Sequence, residues 1–302
     1  MRRRIVCVGN LVHDEVYRVE MLPASGIKTG VLGYESRFGG PAATAAVAIS
    51  HLGGQASYWG RLGRDEAGEA ALALLQRHGV DCAGVAMLAE GRTLRAIVMV
   101  DPRGERSIVS DRRSLSADAG VLPQDDLADV AVVLADTRWP AGAEVALERA
   151  AASGIPGVLD ADGGAPDANQ RLIARCDHVI FSSEGLRDHA GDGAPADLLR
   201  RCPARPGQIL AATCGAAGSL WLIQGEIARV PAFDIVMRDT TGCGDVFHGA
   251  YALGIGEGMA PLEAARLASA TAALKGARAA GWDGMPDRAA VLELMRSGPT
   301  RE

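Results

Sequence analysis

Short apolar runs rich in β-branched residues alternate with Ala- and Leu-rich runs along most of this chain. For example, "RIVCVGN" (4–10) precedes "PAATAAVAISHLGG" (41–54), and "VAVVLAD" (130–136) precedes "AEVALERAAASGI" (143–155). Strands that alternate with helices form βαβ units around a mainly parallel sheet. We therefore predict an α/β fold in which ligands bind at the carboxyl ends of the strands.

The composition narrows the class of protein. Of the 302 residues, 48% are hydrophobic and 23% are charged, which is typical of a globular protein with a large core. The net charge of −6 and the scattered basic residues argue against nucleic-acid binding. Apolar runs stay below the roughly 20 residues of a membrane span, and acidic residues interrupt the N-terminal run before any signal-like cleavage site. We expect a cytoplasmic protein with free cysteines that binds neither nucleic acid nor membrane.

Two segments, 14–38 and 93–111, depart from the alternation of strands and helices. In "TLRAIVMVDPRGERSIVS" (93–110), polar and apolar residues alternate on both sides of the turn "DPRGE". We predict antiparallel strands that form a small β lid over one end of the main sheet. Because there is no low-complexity linker and no repeat of fixed period, we predict a single domain spanning 1–302.

For the stretch "DTTGCGDVFHGAY" (239–251) and the residues before it, we predict a strand, a Gly-rich turn and then a helix. This arrangement puts Gly242, Cys243 and Gly244 at the helix start, where unpaired N–H groups and the helix dipole favour a phosphate or a developing oxyanion. A carboxylate at Asp245 is unfavourable there unless it removes a proton, for example from a hydroxyl that attacks a phosphate. On spacing alone, Asp245 as a simple helix cap stays open.

Several motifs in this chain resemble signatures of the ribokinase-like (PfkB) carbohydrate and nucleoside kinases. The motifs are "FGGPAATAAVAISHLGG" (38–54), "GRLGRDEAG" (60–68), "ATCGAAG" (212–218) and "DTTGCGDVFHGA" (239–250). The resemblance covers nearly the whole chain. It implies a three-layer ribokinase-like α/β fold, with a mainly parallel central sheet and a small β lid. It also implies transfer of a phosphoryl group from ATP, with Mg²⁺, to an alcohol.

The resemblance also implies roles for individual residues. Asp245 takes the position of the catalytic base, and the backbone of Gly242, Cys243 and Gly244 that of the anion hole. The implied sugar-binding positions are Asp14, Gly39, Gly40 and Thr44. The implied nucleotide-binding positions are Thr213, Gly215, Gly218, Ala273 and Gly276, the last two within a segment, 272–281, that walls the adenine pocket. The backbone carbonyls of Asp239 and Thr241 are implied to hold a monovalent cation such as K⁺.

One family motif is altered. The N-x-x-E motif, which helps to organise Mg²⁺ and phosphate, falls in "FSSEGL" (181–186), where Ser182 and Gly185 occupy its two defining positions. The neighbouring Glu184 is the candidate to reach Mg²⁺ through water. Use of Mg²⁺ is still expected, because this ion keeps several waters and binds substrate phosphates.

The segments "GGPAATAAVA", "VLADTRWPAGA" and "LDAD" resemble, more narrowly, the branch that contains 6-deoxy-6-sulfofructose kinase. In that branch a lysine, an asparagine and an arginine hold the sulfonate; Lys28 and Arg138 match the first and third, and Ser110 stands at the second. The acceptor implied is a ketohexose such as fructose or sulfofructose. A ribose or nucleoside kinase of the same fold stays open, as does a non-catalytic nucleotide-binding sensor. A homodimer through the lid is also implied.

Overall fold

The computed structural model describes residues 3–103, 105–111, 113–124, 127–278 and 281–301. In chain order its strands are β1 (Arg4–Val8), β2 (Val12–Val19), β3 (Val31–Gly39), β4 (Gln55–Gly63), β5 (Val85–Leu88), β6 (Arg95–Val100), β7 (Arg106–Ser110), β8 (Val130–Asp136), β9 (Gly157–Ala161), β10 (His178–Ser182), β11 (Ile209–Thr213), β12 (Ser219–Ile223) and β13 (Glu226–Val230). Its helices are α1 (Pro41–His51), α2 (Glu66–Arg77), α3 (Pro140–Ala152), α4 (Pro166–Arg175), α5 (Ser183–Ala190), α6 (Pro195–Arg201), α7 (Cys243–Gly256), α8 (Pro261–Arg278) and α9 (Arg288–Ser297). Over the described ranges, every helix falls short of the length and apolar character that a membrane span requires.

The main sheet has the strand order β13-β12-β11-β10-β9-β8-β1-β4-β5 within the described residues. Its strands are parallel from β5 to β11, and the β11/β12 and β12/β13 pairs are antiparallel. The prediction of a mainly parallel α/β sheet is therefore confirmed. The chain leaves β1 toward β4 on one side and later returns to β8 on the other. This topological switch point is where an α/β sheet opens a crevice for ligands.

Helices cover both faces of the main sheet. Along β10, Ile180 faces a buried layer that includes residues of α1, α7 and α8, whereas Val179 and Phe181 face a layer that includes residues of α3 to α6. Strands buried on both faces must be apolar throughout, which explains the continuous runs in the sequence. The carboxyl ends of these strands form one edge of the sheet, where polar residues follow the apolar runs.

A separate second sheet has the strand order β3-β2-β6-β7. Its strands fall within or beside the segments 14–38 and 93–111, and the β2/β3 and β6/β7 pairs are antiparallel. The β2/β6 pair, however, is parallel, so the expectation of antiparallel strands throughout is wrong for this pair. Because β2 leaves the carboxyl end of β1 and β6 leaves that of β5, both strands run in the same direction.

Candidate active site

The start of α7 carries the predicted anion-binding turn, but the strand predicted before the turn is wrong: among the described residues no strand lies between the end of β13 at Val230 and α7. Gly242, the residue before the helix, has a φ of 73°, a left-handed conformation that glycine adopts without strain. Among the described residues, the backbone N–H groups of Gly242 and Gly244 donate to no protein acceptor. Unpaired N–H groups at a helix start, together with the helix dipole, attract an anion.

Cys243 requires a correction to the predicted anion hole. Its backbone N–H donates to the carbonyl oxygen of Thr240 at 3.2 Å, because the left-handed Gly242 closes a tight turn over these four residues. The N–H of Cys243 is therefore already used within the protein. Of the three predicted anion-hole residues, only Gly242 and Gly244 have backbone N–H groups without a protein acceptor among the described residues.

Asp245 lies in the first turn of α7 and is partly buried. Its carboxylate accepts no hydrogen bond within the described part of the chain. A Cβ placed on Gly242 would lie 3.8 Å from its Oδ2 atom, so the carboxylate stands beside the anion-binding turn. Burial, together with the negative charge of Asp160, raises the pKa of Asp245 to about 7. A carboxylate with such a pKa is suited to accept a proton near neutral pH.

His248 holds the first turn of α7 against the main sheet. Its ring is only 3% exposed. Nδ1 lies 2.7 Å from the carbonyl oxygen of Gly244 and 3.4 Å from the carboxylate of Asp160, and Nε2 lies 3.2 Å from the carbonyl oxygen of Ile180. His248 thus packs beneath Asp245 and fixes the helix that carries it.

A first cavity, of about 370 Å³, lies on one side of this turn. Its lining includes six of the predicted nucleotide-site or anion-hole residues: Thr213, Gly215, Gly218, Cys243, Gly244 and Ala273. The wall is largely apolar and also contains Phe233, Ile235 and Met237. Gly276 lies behind this wall, since a Cβ there would come within 2.1 Å of Met237 Cε. Of the predicted adenine segment, residues 279 and 280 lie outside the described residues.

A second cavity, of about 750 Å³, lies under the second sheet on the other side of the turn. Asp14, Arg37, Asp239 and Thr241 are among the residues that line it. The Asp14 carboxylate lies over Gly39, where a Cβ would come within 2.9 Å of Oδ2. Burial raises the pKa of Asp14 to about 6, and the nearby charge of Arg37 opposes this shift.

Gly40 and Thr44 shape the junction between the second sheet and α1. Gly40 has a φ of 97°, and a Cβ there would lie 2.5 Å from the carbonyl oxygen of Asn10. Thr44 is buried, its hydroxyl accepts a hydrogen bond from the indole N–H of Trp282 at 3.1 Å, and its methyl group faces Gly242. The Thr44 hydroxyl thus already has a protein partner.

The three predicted sulfonate-binding residues lie in different places. Arg138 follows β8, and its guanidinium donates to the Asp162 carboxylate at 3.2 Å. Ser110 lies opposite Ala96, which lies opposite Asp14, so these three residues share one face of the second sheet. Lys28 is exposed in the loop between β2 and β3 and is absent from the described linings of both cavities. The described contacts thus do not bring Lys28 to either cavity.

The altered N-x-x-E motif has a clear structural setting. The Ser182 hydroxyl accepts from the N–H of Gly185 and donates to the Asp162 carboxylate. At Gly185 a Cβ would lie 2.2 Å from the carbonyl oxygen of Ala161, which leaves no room for a glutamate. Glu184 is exposed on α5, and the described residues contain no cluster of three or more His, Cys, Asp or Glu able to hold a metal ion.

Three further residues complete the site and were not predicted from the sequence. Lys275, on α8, is buried, and its ammonium donates to the carbonyl oxygen of Thr241 at 2.6 Å. Buried Asp136 accepts from the N–H groups of Asn10 and Arg138 and so fixes the ends of β1 and β8. Arg37 faces Asp239. A lysine alone in the apolar run "TAALKGA" was the one available signal, because a buried charge needs a partner.

The comparison with known proteins identifies the family. A profile of the pfkB family carbohydrate kinases matches residues 2–286. This chain belongs to the pfkB carbohydrate kinase family. It is therefore a phosphotransferase with an alcohol group as acceptor, as predicted.

Relatives of this pfkB kinase are named ribokinase, fructokinase or nucleoside kinase. The chain is 28% identical to fructokinase-1 of Oryza sativa subsp. japonica, over 86% of its own length and 88% of that protein. It superposes with a TM-score of 0.87 on a proposed ribokinase from Agrobacterium tumefaciens, at 32% identity, with 98% of each chain covered. It superposes with a TM-score of 0.84 on Arabidopsis thaliana ribokinase in complex with ribose and ATP, at 25% identity, over 98% of this chain and 100% of that one. The ribokinase-like fold is thereby confirmed.

Proposed function

We propose that this protein transfers the γ-phosphoryl group of ATP to a primary hydroxyl of a small sugar, with Asp245 as the base. The observation that carries the proposal is the position of the Asp245 carboxylate. It has no hydrogen-bond partner within the described residues and stands beside the Gly242 turn, whose neighbours line both cavities. A capping role would leave the elevated pKa of Asp245 and the unpaired N–H groups without a use. A non-catalytic nucleotide sensor could use the N–H groups but would have no use for a partnerless carboxylate beside them, so the position of Asp245 also opposes that alternative.

The chemistry follows from this arrangement. ATP occupies the first cavity with its phosphates toward the turn, and the sugar occupies the second. The oxygen of the sugar hydroxyl bonds to the γ-phosphorus while Asp245 accepts the proton of that hydroxyl. At the same time the bond between the γ-phosphorus and the oxygen that bridges to the β-phosphate breaks, and ADP leaves. The N–H groups of Gly242 and Gly244 stabilise charge on the transferring group. Mg²⁺, if carried in with the phosphates, would supply further positive charge, and Glu184 is the residue that would contact its waters.

The acceptor we favour is a ketohexose, with fructose and 6-deoxy-6-sulfofructose as the first candidates. Asp14 would accept hydrogen bonds from sugar hydroxyls over Gly39, since its carboxylate is partly buried and faces the cavity. Arg138 would face an anionic group on the substrate. Lys28 would have to approach through movement of the loop between β2 and β3. The relatives' names, fructokinase and ribokinase, make ribose the second candidate.

A substrate panel tests the proposal. ADP formation would be measured with ATP and Mg²⁺ on fructose, sulfofructose, ribose, adenosine and inosine. Highest kcat/KM on a ketohexose supports the favoured acceptor, and highest kcat/KM on ribose supports the second candidate. Turnover on nucleosides alone would overturn the assignment as a sugar kinase.

We also propose that the second sheet closes the sugar site as a lid and pairs two subunits. On the face turned away from the second cavity, Tyr34 and Val109 are each more than half exposed, and Ile97, opposite Val109, is 42% exposed; Leu32 and Ile108 line the cavity instead. Such a patch on a small sheet favours burial against a partner.

Light scattering should give twice the mass of the chain, and Val109→Glu should give the monomer mass. Leu292→Glu, at an exposed position on α9, is the matched control. A monomeric wild-type protein would contradict the proposal.

A cytoplasmic location completes the proposal. All six cysteines are free, and free thiols persist in a reducing compartment. ATP is also available there as the donor.

A further inference from the structure

We infer that the ammonium of Lys275 takes the place of a monovalent metal ion beside the anion-binding turn, so that phosphoryl transfer by this protein does not require K⁺. The inference rests on the proposed function, because it concerns the positive charge beneath the same turn. It departs from the expectation that the carbonyls of Asp239 and Thr241 hold K⁺.

The inference starts from the burial of one lysine. The sequence contains only two lysines, Lys28 and Lys275. Lys28 is exposed, whereas Lys275 is 2% exposed. Lysine is almost never fully buried unless its charge is paired. The position of Lys275 within α8 therefore calls for a partner that compensates its charge.

The hydrogen-bond acceptor of Lys275 is the carbonyl oxygen predicted to bind the metal ion, and the Asp239 carboxylate supplies a nearby negative charge. The Lys275 Nζ atom lies 2.6 Å from the carbonyl oxygen of Thr241, a distance typical of a short, charge-assisted hydrogen bond. The next residue, Gly276, fixes the same loop, because its carbonyl oxygen accepts from the N–H groups of Arg238 and Asp239 at 2.9 and 3.0 Å. Two successive residues of α8 thus hold the loop that leads into the turn.

A K⁺ ion does not fit beside this arrangement. It would need the Thr241 carbonyl as a ligand while that oxygen accepts the Lys275 hydrogen bond. It would also lie near a fixed positive charge, and like charges at short range repel strongly in a partly buried site. The ammonium is a compact charge with three donors, so it can supply the charge and contacts that a monovalent metal ion would otherwise give.

Lys275 is a positioning residue under this inference, because it touches neither substrate nor reacting atoms. Its hydrogen bond orients Thr241, the residue that precedes Gly242, and thereby the N–H groups that face the transferring group. Its charge adds to the positive end of the α7 dipole. Both effects favour the anion more strongly as charge develops on it.

Salt substitution in wild-type and variant proteins tests the inference. In KCl and in tetramethylammonium chloride at equal ionic strength, the wild-type rates should agree within about twofold. Lys275→Ala should lose about tenfold or more in tetramethylammonium chloride and recover several-fold in KCl, since the truncated side chain leaves room for K⁺. Thr271→Val, buried one turn earlier on α8, is the control and should match wild type in both salts.

A second variant, Lys275→Met, and the melting temperature in each salt complete the test. Lys275→Met removes the charge but retains the bulk, so it should lose activity without recovery in KCl. The melting temperature, which needs no turnover, should rise specifically in KCl for Lys275→Ala and be equal in the two salts for wild type. If no sugar is phosphorylated, the proposed function fails while this comparison still decides the cation question. Several-fold activation of the wild type by K⁺, a K⁺-specific rise in its melting temperature, or full activity of Lys275→Ala without K⁺ would overturn the inference.

Discussion

The Arg37 guanidinium on β3 lies 3.5 Å from the Asp239 carboxylate on the loop that leads into α7. Both side chains are about one-fifth exposed. The pair connects the second sheet to the anion-binding turn, and Arg37 also lies opposite Asp14 on the neighbouring strand. The proposed sugar site under the second sheet is therefore physically linked to the loop that leads to Gly242.

Loss of the Arg37–Asp239 ion pair should raise KM for the sugar clearly while it lowers the free energy of unfolding only slightly. Arg37→Gln should raise KM for the sugar by roughly three- to tenfold, because the second sheet is no longer held over the turn. The free energy of unfolding should fall by less than about 1 kcal/mol, as for most exposed or half-exposed ion pairs. Steady-state kinetics at saturating ATP and urea unfolding measure the two effects. Arg95→Gln removes an ion pair with Glu15 on the same sheet and serves as the control. An unchanged KM for the sugar in Arg37→Gln would contradict the proposed connection between the sugar site and the loop before α7.

Asp14 should contribute to sugar affinity and not to ATP affinity. Asp14→Asn should raise KM for the sugar by about tenfold or more, since a partly buried acceptor for sugar hydroxyls loses its charge. ATP affinity, measured by calorimetry, should stay within about twofold. Glu15→Gln changes the next residue, which points to the opposite face of β2, and should leave both constants unchanged. Equal effects of Asp14→Asn and Glu15→Gln on KM for the sugar would contradict the placement of Asp14 in the sugar site.

Gly185 should resist even the smallest side chain. Gly185→Ala should cost about 2 kcal/mol or more of the free energy of unfolding, because its Cβ would lie 2.2 Å from the carbonyl oxygen of Ala161. Gly30→Ala adds the same group where nothing lies within 4 Å and should change stability by less than about 0.5 kcal/mol. Urea unfolding of both variants measures the difference. A Gly185→Ala protein as stable as wild type would contradict the claim that this position has no room for a side chain.

The fold, and the place of Asp245 beside the Gly242 turn, could be predicted from the sequence because their signals are local. The periodicity of apolar runs specifies a parallel sheet, and Asp245 stands within a few residues of the glycines that define its role. Lys275 and Arg37 could not be predicted in this way, because each meets its partner only through the tertiary fold. The occupied N–H of Cys243 depends on the backbone angle of Gly242, which the glycine permits but does not dictate.

Removal of the Asp245 charge should stabilise the protein in alkaline conditions. The pKa of Asp245 is raised to about 7, so the folded state holds this proton at pH values where the unfolded chain has lost it. Above about pH 7 the buried carboxylate therefore lowers stability, and this cost disappears as the pH falls toward about 4. Asp245→Asn should exceed wild type by roughly 1 to 2 kcal/mol at pH 8, with a smaller difference at pH 5. Urea unfolding at both pH values measures the difference. A wild-type protein more stable than Asp245→Asn at pH 8 would contradict the prediction.

The most direct test of the account is the rate of phosphoryl transfer by Asp245→Asn, measured with ATP affinity on the same preparation. Asparagine keeps the shape of the side chain but cannot accept the hydroxyl proton. The account predicts that kcat falls by about a hundredfold or more while the Kd for ATP stays within about threefold. A variant that transfers the phosphoryl group at the wild-type rate would contradict the role of Asp245 as the base.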